Sequence, residues 1–332
     1  MRLGHQVHIS CFRPFKPSVY QKIKSLLRGR SCPKAEVVGS SHYASYGVPY
    51  NIADQNIPLT NADLPDADVV IATFWITATW LTNLKPCKGR HVYLIQGDEG
   101  TIHSFADAEK TYSLNCKHIY VSNWIADRIR QRHPNVDGIV IPNAVEIDSF
   151  DRGERRKPNT LRIGTMWSGD PIKGSDVAIE AVRVARAQGV ALEFVAFGNS
   201  APPDEMRSEM DEFVLQPEPT TMADLYASCT AWLFTSRFEG FGLPILEAMA
   251  ARTPVIGTPT GAAPDLIGEG GGIMVPMDDS AAIADAIITF HEFDADTWMS
   301  MSSTAFRTAQ KHQWDQATRR LENFLEVRLE DK

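Results

Sequence analysis

Long apolar runs are absent from this sequence: no stretch reaches the length of a bilayer span, and the first residues carry no apolar signal-peptide core. A cytoplasmic chain is expected, with membrane contact no more than peripheral, at the inner face. Cysteine is scarce. Cys11, Cys32, Cys87, Cys116 and Cys229 are scattered, odd in number and without CxxC spacing, which argues against a disulfide framework or a cysteine zinc site. Positive charge is in deficit, with 33 Lys plus Arg against 41 Asp plus Glu and a net charge of -8. No basic run marks a nucleic-acid footprint, so any anionic ligand must be held by local groups. What is present is a hydrophobic content of 43% over 332 residues. That suffices for a sizeable core and, at roughly 150 residues per domain, for two domains.

Short apolar runs recur at "DVVIAT" (Asp68–Thr73), "HVYLIQ" (His91–Gln96), "HIYVS" (His118–Ser122) and "GIVIPN" (Gly138–Asn143), mostly separated by helix-capable segments. This is the rhythm of a parallel sheet covered on both faces. Before them, "LGHQVHIS" reads as a helix end at Gly4 followed by a strand with Val7 and Ile9 alternating. The polar stretch Glu146–Thr160 is the expected linker. After it the rhythm restarts with strands at "LRIGTM", "LEFVAFG", "AWLFTS" and "TPVIGT", and helices at Ser175–Gln188 and "TMADLYASC". Ser175 is the expected cap of its helix and Gly189 its stop. The segment from His312 onward forms an amphipathic helix with Trp314, Ala317, Leu321, Phe324 and Leu325 on one face. The expected architecture is α/β: a domain over 1–150, a second over 151–310, and a terminal helix over 311–332 bracing the two.

The stretch "SRFEGFGLPILEAMA" (Ser236–Ala250) carries the clearest chemistry. Gly240 and Gly242 leave the turn bare before a helix that Pro244 suits at its first turn. The N–H groups of Gly242 and Leu243 and the positive helix end then form a site for phosphate. Glu239 and Glu247 would be repelled by that phosphate and serve better as acceptors for sugar or ribose hydroxyls. Glu247 lies among apolar residues, where its charge requires a ligand or a basic partner. Upstream, Lys173 and Gly174 in "DPIKGSDVAIEA" precede another helix start. Each feature alone fits an ordinary turn or a solvated lysine; two anion sites together favour a nucleotide.

With these residues the sequence resembles the retaining glycosyltransferases of the GT-B fold, family four, also called glycosyl transferases group 1. "EGFGLPILEAMA" resembles the family's Glu-x7-Glu motif, "IKGSDVAIEA" its pyrophosphate-lysine segment, "IPNAVEIDSF" its interdomain crossing and "TPVIGTPTGAAPDLI" the strand and loop beyond the motif. "VIATFWITATW" and "VYLIQGDEG" are similar to a branch for cell-surface polysaccharide assembly that includes rhamnosyltransferase-like members. The resemblance implies two Rossmann-like domains facing across a cleft, a nucleoside-diphosphate sugar as donor, a glycan or lipid-linked acceptor, and neither a cofactor nor a metal. It gives the ribose to Glu247, the donor sugar to Glu239, the backbone contacts to Gly240, Phe241, Gly242 and Leu243, and the diphosphate to Lys173. Gln96, Asp98 and Glu99 would orient acceptor or donor sugar, with Asp98 a catalytic candidate, and Trp75 and Thr77 would line the cleft. For Asp98 and Glu99 an ordinary solvated loop is an equal alternative, and an aromatic such as Trp75 is more often core. His103 and His118 are weaker candidates. The Asp-x-Asp at Asp66–Asp68 reads as a turn into a strand.

Departures from the family pattern keep a rival open. Ser168 stands five residues before Lys173, where the family has an arginine, and Arg237 is the nearest candidate to compensate, although a surface arginine is the simpler reading. Asp265 stands where the family often has glutamate. The family's first strand, glycine-rich loop and helix have no counterpart before "LGHQVHIS", so a truncated first domain is expected. The alternatives are therefore a catalytically impaired sugar-nucleotide-binding or scaffold protein, and another GT-B activity such as an inverting transferase or an epimerase.

Overall fold

The computed structural model describes residues 5–12, 47–53, 58–102 and 106–327. The contacts divide the chain into two units, 1–94 with 113–117, and 95–112 with 118–332. Gly4 and His103 lie outside the described residues.

In the first unit β1 (Ile9–Phe12) pairs in parallel with β2 (Tyr50–Ala53), and β3 (Val69–Ala72) pairs in parallel with β4 (Arg90–Ile95). The helix Trp75–Leu81 and the 3-10 turn Pro86–Lys88 connect the latter pair. Gly89 closes that turn at φ 86°, and a Cβ there would lie 2.3 Å from the Asp68 carbonyl carbon. The Asp-x-Asp segment is a strand entry: Lys88 Nζ binds Asp66 at 2.8 Å and the Leu64 carbonyl at 2.7 Å.

In the second unit β5 (Lys117–Tyr120) pairs in parallel with β6 (Gly138–Val140) across the helix Asn123–Arg132. Ser122 caps that helix, its Oγ accepting from the Ile125 N–H at 3.2 Å. Six more parallel strands follow: β7 (Leu161–Trp167), β8 (Leu192–Gly198), β9 (Glu212–Leu215), β10 (Ala231–Phe234), β11 (Val255–Gly257) and β12 (Gly272–Met274). Their order across the sheet is β12-β11-β10-β7-β8-β9. The chain thus winds outward in both directions from β7 and β10, and the crevice at their carboxyl ends is where such a sheet binds ligands. The two loops singled out in sequence, after Trp167 and after Phe234, leave from those ends.

Helices Ser175–Ala187 and Ser280–Glu292 cover one face over a core of Ile163, Phe194, Leu233, Ile256, Ile287 and Phe290, all fully buried. Helix Leu243–Ala250 packs against Pro219–Ser228 and Ala295–Gln310. Two local expectations are corrected. Ser175 does not cap its helix: Gly174 is the N-cap at φ 64°, and Ser175 Oγ instead accepts from the Ser168 N–H at 3.0 Å. Trp314 is 56% exposed, so the packed face of the last helix, Trp314–Val327, starts beyond it. The polar stretch after Glu146 is a short helix, Ile147–Phe150, followed by irregular chain. Its charges are pinned: Arg155 donates to the Cys229 carbonyl at 2.7 Å and to Thr253 Oγ1 at 2.6 Å, and Arg252 binds Asp151 at 2.8 Å.

Candidate functional site

Two loops at the crevice are stitched together before any side chain reaches a ligand. The Arg237 N–H donates to the Ile172 carbonyl at 2.8 Å, and Thr235 Oγ1 donates to the Gly174 carbonyl at 2.8 Å. Gly174 is required there, because a Cβ would sit 2.0 Å from the Thr235 carbonyl oxygen. This lacing brings Lys173 onto Glu239, with Nζ 2.7 Å from Oε1. Ser236 Oγ donates to the same oxygen at 3.0 Å.

Gly242 is the N-cap of helix Leu243–Ala250 at φ 97°, with Pro244 in the first turn. Among the described residues no acceptor takes a hydrogen bond from the N–H groups of Gly240, Phe241, Gly242 or Leu243. Four successive donors at the positive end of a helix form a cradle for an oxyanion. The turn is held from outside. Ser122 Oγ donates to the Gly240 carbonyl at 2.7 Å, the Ala262 N–H donates to the Phe241 carbonyl at 2.7 Å, and a Cβ on Gly240 would lie 1.8 Å from the Gln96 carbonyl oxygen. Gln96 therefore meets the glycine turn through its backbone, while its side chain is exposed.

Glu247 lies one turn inside the helix. Its partner is neutral: the Tyr226 hydroxyl donates to Oε2 at 2.8 Å, where sequence reasoning called for a base or a ligand. Burial raises the Glu247 carboxyl above the usual carboxylate range, the tyrosine opposing that rise, and burial also pushes the Tyr226 phenol well up.

Other candidates are placed differently. Asp98 is fully buried, with Arg132 Nη2 at 2.6 Å, Arg128 Nε at 3.3 Å and Thr101 Oγ1 at 2.9 Å. Arg128 in turn stacks on the rings of Trp124 and Phe238, at 4.7 and 5.2 Å. Asp98 is thus the anchor of two arginines, and through Phe238 this network reaches the residue before Glu239. Arg237 points its guanidinium at Asp176 (2.9 Å), Asp278 (2.6 Å) and the Pro171 carbonyl. It braces the lysine loop. Ser168 shapes the same loop, its Oγ accepting from the Asp170 N–H at 3.2 Å. Glu99 opens the short helix Glu99–Ile102, half-buried. Trp75 and Thr77 start a helix of the first unit, where Thr77 Oγ1 donates to the Phe74 carbonyl at 2.7 Å. Asp265 accepts from Asn123 Nδ2 at 3.0 Å. His118 is buried within β5. Sequence reasoning missed Tyr226, Ser236 and Ser122; no local spacing ties a tyrosine to a glutamate 21 residues on.

Residues 157–292 match the family model described as glycosyl transferases group 1. The chain is 25% identical over 264 residues to the putative colanic acid biosynthesis glycosyltransferase WcaL of Salmonella typhimurium, covering 72% of this chain and 65% of that protein. It is 36% identical over 151 residues to the lipopolysaccharide core biosynthesis mannosyltransferase LpcC of Rhizobium leguminosarum, covering 44% of this chain and 41% of that one. The alignments thus span less than two thirds of these relatives' lengths. Among solved structures, Anabaena HepE in complex with UDP and glucose is similar in fold, with a TM-score of 0.71 at 16% identity over 96% of this chain and 99% of that one. The fold is of the GT-B type, and residues 157–292 match the glycosyl transferases group 1 family.

Proposed function

We propose that the protein is a retaining, metal-independent glycosyltransferase that moves a hexose or deoxyhexose from a nucleoside-diphosphate sugar to a glycan or lipid-linked acceptor in cell-surface polysaccharide assembly. One observation carries the reading: Lys173 and Glu239 meet at 2.7 Å near four backbone donors that have no acceptor among the described residues, with Glu247 one helical turn into the helix that follows. In this reading Glu247 takes the ribose hydroxyls, the cradle of Gly240–Leu243 and Lys173 take the diphosphate, and Glu239 takes the donor sugar. Leaving-group charge is then stabilised by donors fixed before the reaction begins. The bond from the anomeric carbon to the phosphate oxygen breaks, and a bond to the acceptor oxygen forms on the same face. The acceptor's proton passes to the departing phosphate oxygen, so no side chain of the protein need act as nucleophile. Asp98 enters as the anchor of Arg128 and Arg132. The names of the relatives support the sugar class and the pathway, and HepE's bound UDP and glucose support the donor class.

A thermal-shift screen of UDP, GDP, ADP and dTDP sugars tests the reading, since a ligand that binds only the folded state raises the melting temperature. A shift with one base, donor consumption unchanged by EDTA, and a product of the donor's anomeric configuration are expected. No shift with any of the four would refute donor binding. Inverted product, or donor epimerised with no acceptor consumed, would refute retaining transfer. Binding without turnover would instead favour the impaired sugar-nucleotide-binding protein.

A further inference from the structure

The Glu247 carboxylate has a single protein hydrogen bond among the described residues, from the Tyr226 hydroxyl to Oε2 at 2.8 Å. Its other oxygen, Oε1, accepts from no described side chain or backbone group. Tyr226 is fully buried, its ring 4.3 Å from Trp232, 5.6 Å from Phe197 and 6.1 Å from Phe150, measured between centroids. Its backbone is fixed as well, since its carbonyl accepts from Thr253 Oγ1 at 2.6 Å and from the Cys229 N–H at 3.1 Å. A phenol clamped on every side can offer its proton in one direction, and that direction is Glu247.

We propose that Tyr226 is a positioning residue of the ribose subsite: by occupying Oε2 it fixes the carboxylate rotamer and leaves Oε1 for the ribose hydroxyls. The inference rests on the ribose reading given above. A carboxylate must be ionised to accept two hydroxyls at full strength, and burial works against that at Glu247 while the tyrosine hydroxyl works for it. Other ionisable groups on the elements packed against this helix are Asp148, Asp224, Asp265, Asp296 and Arg307, with Glu239 in the loop before it. None of them hydrogen-bonds Glu247. Cys229, next to the Tyr226 helix, has its thiol pushed up to about 12 by burial and stays neutral.

The test is calorimetry with UDP, GDP and ADP and their 2′,3′-dideoxy counterparts, on wild type and Tyr226→Phe. Wild type should bind one ribonucleotide more tightly than its dideoxy form. In Tyr226→Phe the ribonucleotide should lose about tenfold in affinity and the dideoxy form nothing, as expected for one charge-assisted hydrogen bond. The pH at which ribonucleotide binding is half lost on acidification should also move upward. Equal losses for both nucleotides, or an unchanged ribose preference and midpoint, would overturn the positioning role while leaving the ribose reading intact. Equal wild-type affinity for ribo and dideoxy forms would instead overturn the ribose reading and the inference with it. Should Tyr226→Phe not fold, Tyr226→Leu is measured in the same way: a loss confined to the ribonucleotide supports the inference, and equal losses for both nucleotides or none for either overturn it.

Discussion

Replacing Lys173 by alanine should cost diphosphate affinity twice over. The lysine ammonium contributes attraction, and it also neutralises Glu239, 2.7 Å away and only 12% exposed. Without the lysine an incoming phosphate meets that carboxylate shielded only by the Ser236 hydroxyl at 3.0 Å. Two unit charges about 4 Å apart interact by about 4 kcal/mol at an effective dielectric constant of about 20. Because Lys173 is 29% exposed, solvent screening lowers its share to about 2 kcal/mol. That is a loss of about thirtyfold in the Kd of a nucleoside diphosphate. The bare nucleoside should lose almost nothing, and folding stability should change by less than about 1 kcal/mol, the usual worth of a partly exposed pair. Removing the orphaned charge in Lys173→Ala/Glu239→Gln should recover part of the affinity, with a coupling of about 1–2 kcal/mol between the two sites. Titration calorimetry with nucleoside and nucleoside diphosphate on the three variants reads all of these quantities. Equal losses for nucleoside and diphosphate would place Lys173 in folding, and additive effects in the double variant would refute the shared-charge argument.

Gly240→Ala should lower both melting temperature and donor binding, because its Cβ would fall 1.8 Å from the Gln96 carbonyl oxygen and one of the two backbones must move. An unchanged melting temperature would sink the close-approach argument. Asp98→Asn should lose about 3–5 kcal/mol in urea unfolding, since Arg128 and Arg132 would surround a neutral amide; a loss under about 1 kcal/mol would show that the network is dispensable. Glu247→Gln should be at least as stable as wild type at neutral pH while binding ribonucleotide more weakly. Burial raises this carboxyl in the folded state, so the folded protein binds the proton more tightly than the unfolded chain, and stability falls as pH rises from the ordinary carboxylate pKa to the raised one. The variant's advantage should therefore vanish below about pH 4, and melting curves across pH that show wild type more stable at neutral pH would contradict it.

Apolar runs with flanking glycine made the strands β3 to β8, β10 and β11 legible, because buried parallel strands are nearly continuous in hydrophobic character. β2 (Tyr50–Ala53), β9 (Glu212–Leu215) and β12 (Gly272–Met274) escaped notice, being short, and β9 and β12 only half-buried. The glycine turn and its two glutamates were readable because backbone freedom and helix-start chemistry are local. Partners were not. Ser175 fits a cap by position, yet its hydroxyl is taken by the Ser168 N–H because Gly174 already turns the chain. Arg237 sits two residues before Glu239, yet Asp176 and Asp278, brought in by folding, claim its guanidinium. Asp98 reads as an open loop acid, yet Arg128 and Arg132 enclose it from a helix about thirty residues on.

These pairings follow one rule: the charges of the site's lysine and arginines are matched inside the protein before a ligand arrives. Lys173 is matched by Glu239, Arg237 by Asp176 and Asp278, and Arg128 and Arg132 by Asp98. Among the described residues, the N–H groups of Gly240 to Leu243 have no acceptor within the protein. Backbone donors cannot be moved by a neighbouring carboxylate, and their direction is set by the glycine conformations and by the contacts that Ser122 and Ala262 make with the turn. In the proposed reading an oxyanion is bound chiefly by geometry, with Lys173 as its adjustable charge. Such a cradle tolerates the net negative charge of the chain, because dipoles fixed within a few ångströms of the ligand outweigh a diffuse surface charge that salt screens over about 8 Å.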